Sequence, residues 1–302
     1  MSLNHHGFVV IDKPENLSSA RVVSHVKRTL DAKKVGHAGT LDPFATGVMI
    51  CCVNRATRLA RFFLGGDKKY DALLHLGIET DTQDATGNRI AESQVPDYSE
   101  AGIQDIFRSF TGPLDQIPPA YSALKHKGVP LYKHARRGKP IEKPARQIVV
   151  LDLKITEIQL PYIQFEVTCS AGTYIRTLGA DIGNALGCGG HLKTLRRTQS
   201  SGFTLADAMT LEAFERRAAG ERFSRYAVSM TEALRHMAEW TADNDLKRKI
   251  VNGVPLTKND VVLEKPPDKD KFIKIIDANR ELLAVIQPIE TLGAYHYCCV
   301  FN

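Results

Sequence analysis

Apolar and polar positions alternate with two different periods along this chain, and each change of period marks an element. Phe8-Val9-Val10-Ile11 is a short apolar run closed by Lys13-Pro14 and reads as a buried strand. Ser18 or Ser19 can cap the helix that follows, because Val22, Val23, Val26 and Leu30 then share one face. Residues 33–47 carry three glycines and read as a loop, followed by an apolar strand over 48–53 and another strand over 69–77. Ile103, Ile106, Phe107 and Phe110 stand at helical spacing, with Gly112-Pro113 as the stop. Period-two alternation then returns: Val149, Leu151, Leu153 and Ile155 are expected on one face, and Ile163, Phe165, Val167 and Cys169 on one face of the next strand. Strands with one polar face imply a mostly antiparallel sheet and argue against a doubly wound parallel one. Ile175, Leu178, Ile182 and Leu186 mark a helix ending at Gly187, and residues 210–219 read as the last helix of the large domain. Beyond a boundary near 226–239, strand-like runs at 272–276, 282–286 and 295–301 form a small β-rich module. The expected class is α+β, with a central sheet flanked by helices and a β-rich C-terminal domain.

Composition narrows the class without naming a chemistry. The 302 residues are 43% apolar and 25% charged, ordinary values for a globular protein with a sizeable core. The longest apolar runs fall far short of the roughly 20 residues needed to span a bilayer, so no membrane association is expected. The first residues show no basic stretch followed by a long apolar one, so a cytoplasmic location is expected. Six cysteines, in two adjacent pairs and two singles, form no C-x-x-C, and buried free thiols are expected with no metal site. The net charge of +6 is mild, but its distribution is uneven. From Tyr121 to Gln147, Lys125, Lys127, Lys133, Arg136, Arg137, Lys139, Lys143 and Arg146 face one acid, Glu142. That density suits phosphates, and it equally suits a solvated basic loop.

The segment with the richest chemistry is Lys34-Val35-Gly36-His37-Ala38-Gly39-Thr40-Leu41-Asp42-Pro43-Phe44-Ala45-Thr46-Gly47. Its glycines let a ligand approach the main chain, and Pro43 biases Asp42 toward an extended backbone. Two readings of Asp42 stay open at this point: a carboxylate held out for chemistry, or an N-cap with Pro43 at the first helical position.

Gly36-His37-Ala38-Gly39-Thr40-Leu41-Asp42-Pro43 with Ala45-Thr46-Gly47 resembles the signature loop of the TruB family of tRNA pseudouridine synthases. Further pieces match in order. Lys13-Pro14 is similar to the family's first motif, and Lys69-Tyr70 to its segment carrying an active-site tyrosine. Thr80-Asp81-Thr82-Gln83-Asp84-Ala85-Thr86-Gly87 resembles its T-D-T-x-D-x-x-G turn, and Pro118 to Lys125 with Leu131-Tyr132 and Ala135-Arg136 its RNA-gripping insertion. Gly172-Thr173-Tyr174-Ile175-Arg176-Thr177-Leu178 and Leu195-Arg196-Arg197-Thr198 complete the set, which covers about residues 7–215. The tail is similar to a PUA-like domain. Ala38 departs from the more frequent Thr or Ser, and Glu15-Asn16 stands where a glycine is usual.

The resemblance implies a catalytic unit over 1–230 with an RNA-binding insertion at about 118–147, and a PUA-like domain over 231–302. It implies isomerisation of the T-loop uridine of tRNA, position 55 by tRNA convention, with no cofactor or metal, no obligate protein partner and a monomeric state. Pseudouridine formation breaks C1′–N1, turns the base and joins C1′ to C5, without redox change or hydrolysis. An ionised carboxylate can act there as nucleophile or as counter-ion, and a nearby cation keeps such a group ionised. Asp42 is the matching acid, and Arg176, able to bind a carboxylate bidentately, its matching partner. Tyr70 would stack on the base and take a proton late in the reaction. Tyr174 and Leu195 would line the pocket, and His37 would fill the gap left by the extruded nucleotide. Lys13, Lys125, Arg136, Arg137 and Arg146 would bind substrate, with Lys193, Arg196 and Arg197 extending the basic track. Two rivals stand beside this: an RNA-binding or tRNA-folding protein without catalysis, and a guide-dependent dyskerin-type synthase, for which long basic extensions are expected.

Overall fold

A computed structural model describes residues 5–261, 272–289 and 293–301. Nine strands form one sheet. Its main path runs Gly7–Lys13, Thr46–Val53, Gly190–Ser200, Lys68–Leu76, Tyr162–Cys169, Arg146–Gln159 and Gly112–Gln116, with Val35–His37 and Phe203–Thr204 paired alongside. Every pairing is antiparallel except that of Thr46–Val53 with Gly190–Ser200. The mixed, mostly antiparallel class expected from the alternation is therefore present.

The apolar runs at the front of the chain are buried on both faces. In Gly7–Lys13 and Thr46–Val53, Val9, Ile11, Met49 and Cys51 face a core shared with the helices Ser19–Thr29 and Ile175–Ala185. Phe8, Val10, Ile50 and Cys52 face the other way, into a second core that also holds Leu282, Val285, Cys299 and Phe301 of the C-terminal sheet. That is why these strands read as continuous apolar stretches while Tyr162–Cys169 alternates.

Arg146–Gln159 departs from its expected phase. The buried residues of its first half are Ile148 and Val150, and Leu151 is 50% exposed. The register skips between Val150 and Asp152, and only beyond that bulge do Leu153 and Ile155 turn to the core. One extra residue reverses which set faces inward, so the expected placement of Val149 and Leu151 with Leu153 and Ile155 is corrected.

Several elements went unread in the sequence, among them the central strand Gly190–Ser200 and the three that follow. Val35–His37, expected as loop, pairs with Cys51–Val53 through main-chain bonds that need no apolar pattern. Gly112-Pro113, expected only as a stop, opens the edge strand Gly112–Gln116. The helix Asn244–Val251, capped by Asp243, packs Leu246 and Ile250 onto the C-terminal sheet. That sheet has five strands ordered Ala238–Thr241, Ile273–Ile276, Leu282–Ile289, Ala294–Val300 and Leu256–Thr257. All six cysteines are free thiols. No helix among the described residues is long and apolar enough to cross a membrane.

Candidate active site

The segment from Gly39 to Ala45 crosses between Val35–His37 and Thr46–Val53 and is pinned from three directions. The Ser19 hydroxyl, at the start of the first helix, donates to the Leu41 carbonyl and accepts from the Leu41 N–H, both at 2.8 Å. The Lys13 ammonium donates to the carbonyls of Pro14 (2.9 Å), Leu17 (2.7 Å) and Pro43 (3.1 Å). From behind, the Arg197 guanidinium donates to Gly39, Thr40 and Val48 carbonyls. A bond from the Ala45 N–H to the Asp42 carbonyl closes a single turn, and the chain enters the strand at Thr46. No helix follows Pro43, so the N-cap alternative for Asp42 is excluded.

Asp42 meets Arg176 at the first turn of Ile175–Ala185, 134 residues away in the chain, with Nε 2.9 Å from Oδ2. The guanidinium is 3% exposed and the carboxylate 36%, so the acid presents its open side to a cavity while its partner is sealed. The contact is made by one nitrogen, not by the bidentate fork expected. The other two nitrogens hold separate loops: Nη1 donates to the Thr82 carbonyl at 2.6 Å and Nη2 to the Tyr121 carbonyl at 2.8 Å. Asp84 lies 3.6 Å from Nη1 and is itself fixed by Thr82 and Thr86. Arg176 thus ties the Asp42 loop, the Thr80–Gly87 turn and the root of the basic insertion to one point.

Two cavities share Asp42 and Arg176. The first, about 410 Å³, is walled by Tyr70, Leu195, Tyr174, Arg146 and Arg197. The second, about 500 Å³, has His37, Tyr121, Tyr132 and Arg136. Both fall within the roughly 300–1,000 Å³ usual for small-molecule sites. Tyr70 is buried, which pushes its hydroxyl up from the ordinary tyrosine value, while the Arg197 guanidinium opposes the shift. Burial lowers His37, helped by Arg197, and so favours its neutral ring.

The structure brings Asp42, Tyr70, Arg176, Tyr174 and Leu195 to one cavity, and places His37 on the second cavity, which Asp42 also lines. Arg146 sits 4.8 Å over the Tyr174 ring and donates to the Gly172 carbonyl. Arg136 lies over the Tyr132 ring at 5.5 Å, and Lys125 and Arg137 are exposed on the insertion. Lys13 is corrected from substrate ligand to buttress: it is fully buried, burial lowers its ammonium to about 8, and it points at three carbonyls behind the loop. Of the expected track of Lys193, Arg196 and Arg197, only Arg197 is corrected. Arg196 pairs with Asp12 at 2.7 Å, Lys193 lies over the Tyr162 ring, and Arg197 is buried. Residues not singled out in the sequence complete the frame. The Gln116 amide clamps the backbone of Tyr174 with bonds of 2.8 and 3.0 Å, fixing where the Arg176 helix begins. Asp84 and Arg197 lay inside quoted motifs, but nothing in their spacing told a buried strut from a surface charge.

The sequence matches the TruB family pseudouridylate synthase N-terminal domain over residues 27–175 and the tRNA pseudouridylate synthase B C-terminal domain over 176–292. It is 49% identical to a protein of Francisella tularensis subsp. tularensis named tRNA pseudouridine synthase B, over 70% of each chain. A protein of the same name from Syntrophotalea carbinolica is 42% identical over 83% of this chain and 82% of its own. Among solved structures, the fold is similar to a chain of a Cbf5-Nop10-Gar1 complex (TM-score 0.76, 28% identity, 98% of this chain and 85% of that one). It is also similar to a chain of an H/ACA RNP bound to a substrate RNA containing 2′-deoxyuridine (TM-score 0.75, 26% identity, 98% and 85%). With both family domains matched end to end and the paired Asp42 and Arg176 at the cavity floor, the chain belongs to the TruB family of pseudouridylate synthases.

Proposed function

We propose that this enzyme isomerises uridine to pseudouridine in tRNA, at the T-loop uridine of position 55, with Asp42 as the essential carboxylate. The observation that carries this is the Asp42–Arg176 pair, open on the acid's side to a cavity with an aromatic wall. A uridine turned out of its stack enters between Tyr70 and Leu195, with C1′ toward Asp42. The acid supports cleavage of C1′–N1, either by bonding to carbon or by balancing positive charge on the sugar. After the base turns, C5 joins C1′ and the C5 proton leaves. Tyr70, neutral through burial, is first a stacking wall. Its oxygen can take that proton only as far as the Arg197 guanidinium supports the phenolate.

In this proposal the catalytic unit runs to about residue 230, the insertion at about 118–147 clamps the T-arm, and residues 231–302 form a PUA-like domain that holds more of the tRNA. Lys125, Arg136, Arg137 and Arg146 meet phosphate on the insertion side of the cavities. The enzyme works as a cytoplasmic monomer, without guide RNA or protein partner. Tritium release from [5-³H]uridine in tRNA and in a bare T-arm stem-loop tests the proposal. Wild type should release one equivalent per target uridine, Asp42→Asn none while still binding, and RNA with cytidine at position 55 none. Release that persists in Asp42→Asn refutes the role of the acid. Turnover only with added guide RNA and partner proteins favours the dyskerin-type rival, and binding without any release favours the RNA-folding one.

A further inference from the structure

Arg197 is among the largest fully buried side chains of the protein, 1% exposed, and no carboxylate pairs with it among the described residues. Burying a guanidinium without a counter-ion is costly, and a methionine or leucine would fill the same space without that cost. Its surroundings show what the charge holds. Nε donates to the Val48 carbonyl at 2.8 Å, Nη1 to Thr40 at 3.3 Å and Nη2 to Gly39 at 3.2 Å, so the fork grips the Asp42 loop on both sides. On the neighbouring strand Arg197 stands directly opposite Tyr70, so the two side chains leave the sheet on one face, and both line the cavity. On its other flank it stands opposite Gly47, where a Cβ would lie 2.2 Å from the Arg197 carbonyl oxygen. The strand carrying Arg197 therefore sits as close to the Asp42 segment as backbones allow.

We infer that Arg197 is the positioning residue of this site, a single buried fork that fixes the Asp42 loop against the strand that carries Tyr70 before substrate arrives. This rests on the proposed roles of Asp42 and Tyr70. A loop held at both ends by one rigid group cannot swing Asp42 away from the tyrosine wall, and displacing a reacting group by about 1 Å costs on the order of 10²-fold in rate.

Arg197→Lys keeps the charge and loses the fork, and Arg197→Met keeps much of the volume and loses both. Three measurements are made on each: single-turnover tritium release from T-arm RNA, T-arm affinity by filter binding, and the phenol titration of Tyr70. The last is read as the absorbance difference between each protein and its Tyr70→Phe counterpart. The charged or titratable groups influencing Tyr70 are Arg197, Cys169 and Asp42, and only the first changes. The single-turnover rate should fall about 10-fold in Arg197→Lys and about 100-fold or more in Arg197→Met, with affinity within threefold of wild type. The Tyr70 midpoint should rise in Arg197→Met and stay near wild type in Arg197→Lys. Rates within threefold of wild type in both variants overturn the inference. So does a fall in rate matched by an equal fall in affinity with the Tyr70 midpoint unmoved, the outcome of a purely structural role. If wild type itself releases no tritium, the proposed function fails, while the phenol titration, which needs no RNA, still decides whether Arg197 governs Tyr70.

Discussion

Replacing Arg176 with lysine keeps a positive charge beside Asp42 and removes the geometry around it. The guanidinium serves three acceptors in different directions, the Asp42 carboxylate at 2.9 Å and the Thr82 and Tyr121 carbonyls at 2.6 and 2.8 Å. An ammonium reaching Asp42 from the same backbone position cannot also bond carbonyls on two other loops. Hydrogen bonds from charged donors are worth about 1.5–3 kcal/mol each, and the site is too buried for water to replace them fully. Two lost bonds give about 3–6 kcal/mol, and with some loop relaxation we expect about 3 kcal/mol of lost stability, which a typical domain of about 5–15 kcal/mol survives. The chemical cost follows from position. With the turn at Thr82 and the insertion root at Tyr121 released, the Asp42 carboxylate is no longer held to the wall opposite Tyr70, and a rate loss of about 100-fold or more is expected. Urea unfolding reads the stability change, single-turnover tritium release the rate, and filter binding the T-arm affinity, which should fall less than the rate because the proposed phosphate ligands are other side chains. An Arg176→Lys enzyme that turns over within threefold of wild type at unchanged stability would refute the hub role of this arginine.

Gly47→Ala should cost about 3 kcal/mol or more in urea unfolding, since φ is +103° and the new Cβ meets the Arg197 carbonyl at 2.2 Å. Gly65→Ala, with open space around it, should stay within about 0.5 kcal/mol. Replacing Lys125, Arg136 and Arg137 by glutamate should weaken binding of all tRNAs alike and lower the salt slope of the affinity by about one per lost phosphate contact. Lys13 gives a pH signature: its folded value of about 8 lies below the ordinary 10.5, so the folded chain sheds this proton first. Between those values the unfolded chain binds more protons, and this group's contribution to stability rises with pH. Activity should move the other way and decline through about pH 8, as the neutral amine loosens its hold on the Pro43 carbonyl. A pH–rate profile flat from 7 to 9 would speak against Lys13 as a charged buttress.

Periodicity sufficed where one chemical environment governed a whole element. Tyr162–Cys169 is buried at alternate positions throughout, and Ile175–Ala185 carries its apolar stripe where the spacing put it. It failed where backbone geometry took over. The bulge at Leu151 inserts a residue that no side-chain pattern announces, and Val35–His37 is a strand because its main chain finds a partner. In the site, motif resemblance brought Asp42, Tyr70 and Arg176 together although they are far apart in the chain, which spacing alone could not do. The same resemblance misplaced Lys13 and Arg197, because a lysine or arginine is written identically whether it faces phosphate or a sealed carbonyl.

Buried cations explain how the site is built. Lys13, Lys68, Arg176 and Arg197 are all buried within one region, and most of their hydrogen bonds go to carbonyl oxygens of loops. Carbonyl dipoles solvate most of this charge, and Asp42 is the acid that Arg176 meets at the cavity. Burial pushes Lys13 and Lys68 below the usual lysine value, and the Arg197 charge adds to both shifts. Such an interior fixes Asp42 through pinned backbone, with little reorganisation left for the reaction itself. A rigid acid cannot go to its substrate, so in the proposed reaction the uridine must come to it. The conformational cost then falls on the RNA, as a few kcal/mol of unstacking, which a folded loop with splayed bases supplies more cheaply than a duplex.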